Sequence, residues 1–178
     1  MQPEKLPLKG CRKCLRSRLS KIITGGQTGA DRAAWDAALE AGIAIGGFVP
    51  KGRLAEDGPV PDRYPGLIET NTVNSSERTR LNVISSEGTL ILSHGIPGGG
   101  TKLAEELAAQ YNKPRLHIDL STVGDDEAII KIIYWLDSGS IRVLNIAGPR
   151  ASEDPAIYER TVELLRDIFR RQKESGTS

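Results

Sequence analysis

The chain has 178 residues, with 24 lysines and arginines against 23 acidic residues and a formal net charge of +1. That length suits one domain with a single core, and the balanced charge gives no electrostatic reason to expect nucleic acid as a partner. No run approaches the roughly 18 to 20 apolar residues that span a bilayer, and residues 1–20 lack the apolar core of a signal peptide, so a cytoplasmic protein with no membrane contact is expected.

Residues 1–20 read as a basic, proline-containing tail ahead of one domain over 21–173. The tail holds Cys11 and Cys14 as a lone Cys-x-x-Cys. A zinc site would need two more ligands, and the two histidines, His94 and His117, stand far away in the body; a redox pair would close a strand, whereas these cysteines precede the first one. No metal site is expected within the chain, and an intermolecular metal or subunit contact is the alternative to a plain tail.

Five short segments rich in Ile, Val and Leu, about 21–24, 43–49, 89–93, 115–119 and 141–147, read as buried parallel strands. The first runs into Gly25-Gly26-Gln27-Thr28-Gly29-Ala30-Asp31. Glycines at such a turn let backbone N–H groups approach an oxyanion without Cβ interference, and the helix that follows adds its positive end. Gln27 and Thr28 can present side chains to whatever is cradled, while Asp31 is read as the helix cap in preference to a ligand contact. The helix from Asp31 to Ala41 carries Ala33, Ala34, Ala37, Ala38 and Ala41 on one stripe and ends at Gly42. Trp35 and Trp135 read as packing aromatics.

Residues 50–73, rich in Pro and Gly and without periodicity, read as a long loop. A helix then spans Ser75 to Glu87 behind a Ser cap, with Leu81 and Ile84 inward and Arg78 along it. The strand Leu90-Ile91-Leu92-Ser93 leads into a second glycine-rich turn, Pro97-Gly98-Gly99-Gly100-Thr101, and a helix to Asn112 with Leu103, Ala104, Leu107 and Ala108 inward and Glu105 along it. Pro114 fixes the entry to the fourth strand. The helix Asp125 to Leu136 has an apolar face of Ile129, Ile132, Ile133 and Leu136 that fits packing on a sheet or a subunit interface. The fifth strand ends in Asn145 and passes to Gly148, Pro149 and Arg150, a third strand-to-loop transition with a glycine and a cation, before a helix over Pro155 to Arg171 with Val162, Leu165 and Phe169 inward.

Alternating strands and helices imply right-handed crossovers and a three-layer α/β/α, Rossmann-like parallel sheet. Ligands bind such sheets outside the carboxyl ends of the strands, so the three loops can line one cleft. The candidate ligand- and phosphate-binding residues are therefore Gly25, Gly26, Gln27, Thr28, Gly29, Asp31, Gly98, Gly99, Gly100, Thr101, Asn145, Gly148, Pro149 and Arg150. Arg78 and Glu105 are the ionisable pair flanking the second turn. No Ser/His/Asp arrangement, zinc signature or Walker-type loop occurs, and nothing singles out a nucleophile.

The Gly25–Asp31 turn with its Ala-rich helix, Gly46-Gly47-Phe48-Val49-Pro50-Lys51-Gly52, and Pro97-Gly98-Gly99-Gly100-Thr101 together resemble the molybdenum cofactor carrier family. That family is similar to the lysine-decarboxylase-like, LONELY GUY-type proteins of the SLOG superfamily, but circularly permuted. The resemblance covers about residues 21–170. It implies a strand order 2-1-5-3-4, with the displaced strand Ile141–Gly148 central. It further implies that molybdenum cofactor (molybdopterin) is carried as a small phosphorylated ligand, for storage or handover to a molybdoenzyme acceptor rather than turnover, by a homo-oligomer. The phosphoribohydrolase relatives offer an alternative, cleavage of nucleoside 5′-monophosphates, in which Arg78 orients phosphate or sugar and Glu105 assists glycosidic cleavage. Against it, those relatives read Pro-Gly-Gly-x-Gly-Thr, with an acid nearer the Thr than Glu105 stands here. A nucleotide-sensing module, with the same cradle and no chemistry, is the third reading.

Overall fold

Each of the central strands is too apolar to present one face to water, and the fold answers by covering both faces with helices. The computed structural model describes residues 18–174; the segment with Cys11 and Cys14 lies outside the described residues. In chain order the elements are β1 (Lys21–Ile23), α1 (Ala30–Glu40), β2 (Ala44–Val49), the short pair β3 (Leu54–Ala55) and β4 (Gly58–Pro59), β5 (Leu67–Glu69), α2 (Ser75–Ser85), β6 (Gly88–Ser93), α3 (Gly99–Gln110), β7 (Arg115–Asp119), α4 (Asp125–Ser138), β8 (Val143–Ala147) and α5 (Ile157–Glu174).

The main sheet is parallel throughout, in the order β5-β2-β1-β8-β6-β7. The five expected strands stand in the expected order, with the last strand of the chain between the first and the third. The difference is β5, an added edge strand from the segment read as loop. Three residues, two of them exposed, leave no alternation by which to read a strand. The same segment is tied down where Arg32 of α1 grips Asp57 in the β3–β4 turn at 2.5 and 2.7 Å.

Helices α1, α4 and α5 pack together on one face, and α2 and α3 pair on the other. Strand alternation sends Leu144 and Ile146 of β8, and Leu90 and Leu92 of β6, into the large core under α1, α4 and α5. Trp35 is fully buried there; its indole N–H donates to the Gly46 carbonyl at 3.1 Å and its ring meets Tyr64 at 5.0 Å. Trp135, half-buried, packs against the same core. The core under α2 and α3 is small: Val83, Ala104 and Ala108, with Leu107 and Ala147 against them.

On that second face several expectations shift. Asn74, rather than Ser75, caps α2, its side-chain oxygen accepting from the Ser76 N–H at 2.9 Å. Thr79, Asn82 and Val83 are the buried residues of α2, while Leu81 and Ile84 are only half-buried. Among the described residues, no helix is long and apolar enough to cross a membrane.

Candidate functional site

The loops after β1, β6 and β8 meet at the carboxyl end of the sheet, above the central strand and on the α2–α3 side. They bound an open cleft of about 460 Å³. Its lining includes Gly25, Gln27, Asp31, Gly100, Thr101, Asn145, Gly148 and Arg150 from the expected set, together with Arg78, Thr79, Asn82, Ala104 and Glu153.

The first loop is organised around its own carboxylate. Asp31 is the second residue of α1, behind an N-cap at Gly29 that has no side-chain bond, so it is not the helix cap. Its Oδ2 accepts from the Gln27 N–H at 3.2 Å and stands 3.7 Å from Arg78 Nη1. Burial pushes the Asp31 carboxyl above the usual range, against the pull of Arg78, the N–H groups of Gln27 and Gly25, and Arg32.

Thr28 serves the frame of the cleft rather than its lining, and Gln27 serves both. The Thr28 hydroxyl donates to Glu56 and accepts from the Ala151 N–H at 3.1 Å, so it clamps the first loop to the third. Gln27 Oε1 accepts from the Thr28 and Glu56 N–H groups at 3.1 and 2.9 Å. Glu56 also takes the Ser152 N–H at 3.2 Å and the Ser152 hydroxyl, and those hydroxyls, Ser152 foremost, hold its carboxyl below the ordinary value. The loops touch so closely that a Cβ on Gly29, at φ +73°, would stand 2.5 Å from the Pro149 carbonyl, and one on Gly148 would stand 2.5 Å from the Ala30 Cβ. Gly26, Thr28 and Gly29 therefore shape the turn and its seam.

Helix α2 delivers Arg78, Thr79 and Asn82 to the cleft through the three-to-four residue spacing of one helical face. Asn82 anchors the helix to β2 by accepting from the Phe48 N–H at 2.7 Å and donating to the Phe48 carbonyl at 3.0 Å. Arg78 lies over the first turn: a Cβ on Gly25 would be 1.5 Å from its Nη1. The side chain is 15% exposed, and its Nε is buried without a hydrogen-bond partner among the described residues. Burial lowers the Arg78 pKa, the Asp31 charge opposes that, and the positive charge of Arg150 adds to it. Arg150 itself stands 3.4 Å from Glu153 and 3.9 Å from Glu56.

From α3 come Gly100, Thr101 and Ala104. Glu105 is not among the residues lining the cleft; the position before it is, and it carries only a methyl group. A Cβ on Gly98 or Gly100 would meet nothing within 4 Å. Gly98, Gly99 and Pro149 line instead a neighbouring groove of about 640 Å³ with His94, Glu153 and Asp154; Thr101 and Glu153 line both spaces. Sequence reasoning passed over Thr79, Asn82, Glu56 and Glu153. Only Asn82, four residues after Arg78, carries a usable signal: a polar side chain on the face of a helix that must pack on the sheet. Among the described residues, no cluster of three or more His, Cys, Asp or Glu side chains has the arrangement of a metal site.

A family model described as the circularly permutated YpsA SLOG family matches residues 22–169. The chain belongs to this family. No curated protein matches it. A solved structure that is similar is that of a "putative molybdenum carrier protein" from Syntrophus aciditrophicus SB, 54% identical, with a TM-score of 0.83 over 86% of this chain and 96% of that one. In this permutated SLOG member, the last strand in chain order, β8, supplies Asn145 to the cleft and the loop after it supplies Gly148.

Proposed function

We propose that the protein binds and carries a phosphorylated pterin-type ligand, molybdenum cofactor being the cargo. The observation that carries this reading is the buried Arg78 guanidinium, which lies on the Gly25 turn with Nε unpartnered beside a carboxylate at 3.7 Å. A buried donor left without a partner costs free energy, and a phosphate oxygen is the acceptor that a cationic donor prefers. A dianion also offsets the repulsion between Arg78 and Arg150. The backbone at Gly100 and Thr101, in the first turn of α3 and with open space at Gly100, adds N–H donors and the positive end of the helix.

These residues fit the phosphate of the cofactor: Arg78, Arg150 and the Gly100–Thr101 backbone hold it, and Asn145 and Thr79 offer polar edges beside it. When bound, the cofactor supplies the metal on its dithiolene as cargo. A carrier needs no nucleophile, and the similar solved protein is named a molybdenum carrier. The protein then works in the cytoplasm as a homo-oligomer and hands its ligand to a molybdoenzyme.

The phosphoribohydrolase reading keeps one observation, Arg78 at the cleft, and loses another, since Ala104 stands where an acid would face the ligand. Native mass spectrometry of anaerobically purified protein, alone and after incubation with AMP, separates the two. The carrier retains a molybdopterin-type mass and leaves AMP intact. Release of adenine and ribose 5-phosphate overturns it.

A further inference from the structure

The groove beside the cleft carries carboxylates without the arginines that balance them in the cleft. Among the described residues, no lysine or arginine lines it; its polar side chains include His94, Glu153 and Asp154, and its walls are backbone glycine and the apolar surfaces of Ile96, Pro97 and Pro149. Ile96, an apolar side chain at the rim, is 96% exposed. His94 Nδ1 meets Asp154 Oδ2 at 2.6 Å, and Asp154 Oδ1 is engaged by the Ala156 N–H at 3.1 Å. A carboxylate only accepts, so in the neutral imidazole this contact places the ring proton on Nδ1 and the lone pair on Nε2. That nitrogen has no hydrogen-bond partner among the described residues.

We infer that this groove is a ring subsite for the same ligand, selecting a planar heterocycle whose edge presents N–H donors to His94 Nε2 and the Glu153 carboxylate. The inference rests on the phosphate reading of the adjoining cleft, with which the groove shares Thr101 and Glu153. An amino-pyrimidinone edge, common to guanine and pterin, offers adjacent N–H and NH2 donors. Adenine offers an amino group between acceptors, which an acceptor-lined groove leaves facing lone pairs. The apolar surfaces of Pro97 and Pro149 suit either ring; the polar edge chooses.

Calorimetric titrations with inorganic phosphate, AMP, GMP and a pterin monophosphate test this on the full chain. The expected order places GMP and the pterin monophosphate at least roughly tenfold tighter than AMP. His94→Ala removes that preference while leaving inorganic phosphate binding unchanged. Asp154→Asn keeps the imidazole but lets an amide donate to Nδ1, moving the ring proton to Nε2; the preference collapses or reverses, which a merely structural role for Asp154 would not produce. Whichever of GMP and the pterin monophosphate binds tighter identifies the ring source. Equal affinity for AMP and GMP, with phosphate binding intact, overturns the ring subsite alone. Loss of all binding, inorganic phosphate included, overturns the phosphate cleft and this inference with it.

Discussion

The two faces of one sheet are built to different ends. Under α1, α4 and α5 the strands present Leu and Ile to a stripe of alanines and to the apolar side of α5, and the result is a large continuous core. Under α2 and α3 the same strands present Thr89 and Asn145, joined by a 3.3 Å hydrogen bond, and the buried set includes Asp31, Thr79, Asn82 and Thr101. The first face holds the fold together. The second gives up apolar burial, and the space so left is the cleft. The difference teaches that a parallel sheet covered by helices on both faces can concentrate its apolar core on one and leave room for polar groups on the other.

Substitutions on the two faces should therefore separate stability from binding. The largest loss is expected on the dry face: Leu165→Ala, at a fully packed site, should cost about 2–5 kcal/mol in urea denaturation while leaving ligand affinity in the folded protein unchanged. On the polar face, Arg78→Met should cost about 2–5 kcal/mol of binding free energy, read by calorimetry with a phosphorylated ligand. The same variant leaves Asp31 buried without its counter-ion. Its carboxyl, already raised, rises further, so the folded form holds the proton more tightly than the unfolded chain does. The stability deficit against the parent protein should be largest above the variant's raised Asp31 pKa and shrink as pH falls through it toward the parent's own raised value.

Asp119 gives the opposite sign. It accepts from the Ser121 hydroxyl and from the Gly95 and Ser121 N–H groups, which hold its pKa at about 2. Asp119→Asn should be less stable than the parent at neutral pH, and the gap should close as pH falls from about 4 to about 2, followed by thermal denaturation. The smallest effect distinguishes cradle from scaffold. Gly100→Ala, in helical backbone with open space for its methyl group, should raise stability by about 0.5–1 kcal/mol and yet weaken phosphate binding. Gly99, at φ +48°, is strained by any side chain and does not make that distinction.

The dry face was legible in the sequence because its signals are long-range and redundant: runs of Ile and Leu in five strands, the alanine stripe of α1, and the apolar spacing of α4 and α5. The permuted order was legible through resemblance, which implied a central fifth strand. The glycine loops announced where the cleft lies. Less was readable inside it. Thr28 and Asp31 carry side chains that suit a ligand or a neighbouring loop equally, and here they serve Ala151, Glu56, Gln27 and Arg78. Glu105 and Ala104 differ by one position on a helix, about 100° of rotation, which decides what faces the cleft. β5 was hidden because an exposed three-residue edge strand has no pattern to show.

The central claim is that Arg78 is the buried partner of a ligand phosphate. The measurement that reaches it most directly is a calorimetric cycle: a pterin monophosphate and its dephosphorylated form, each titrated into the parent protein and into Arg78→Met. Removing the phosphate or the guanidinium should cost a similar affinity, and removing both should cost little more than either alone. Full affinity of the phosphorylated ligand for Arg78→Met, or losses that simply add, would contradict it.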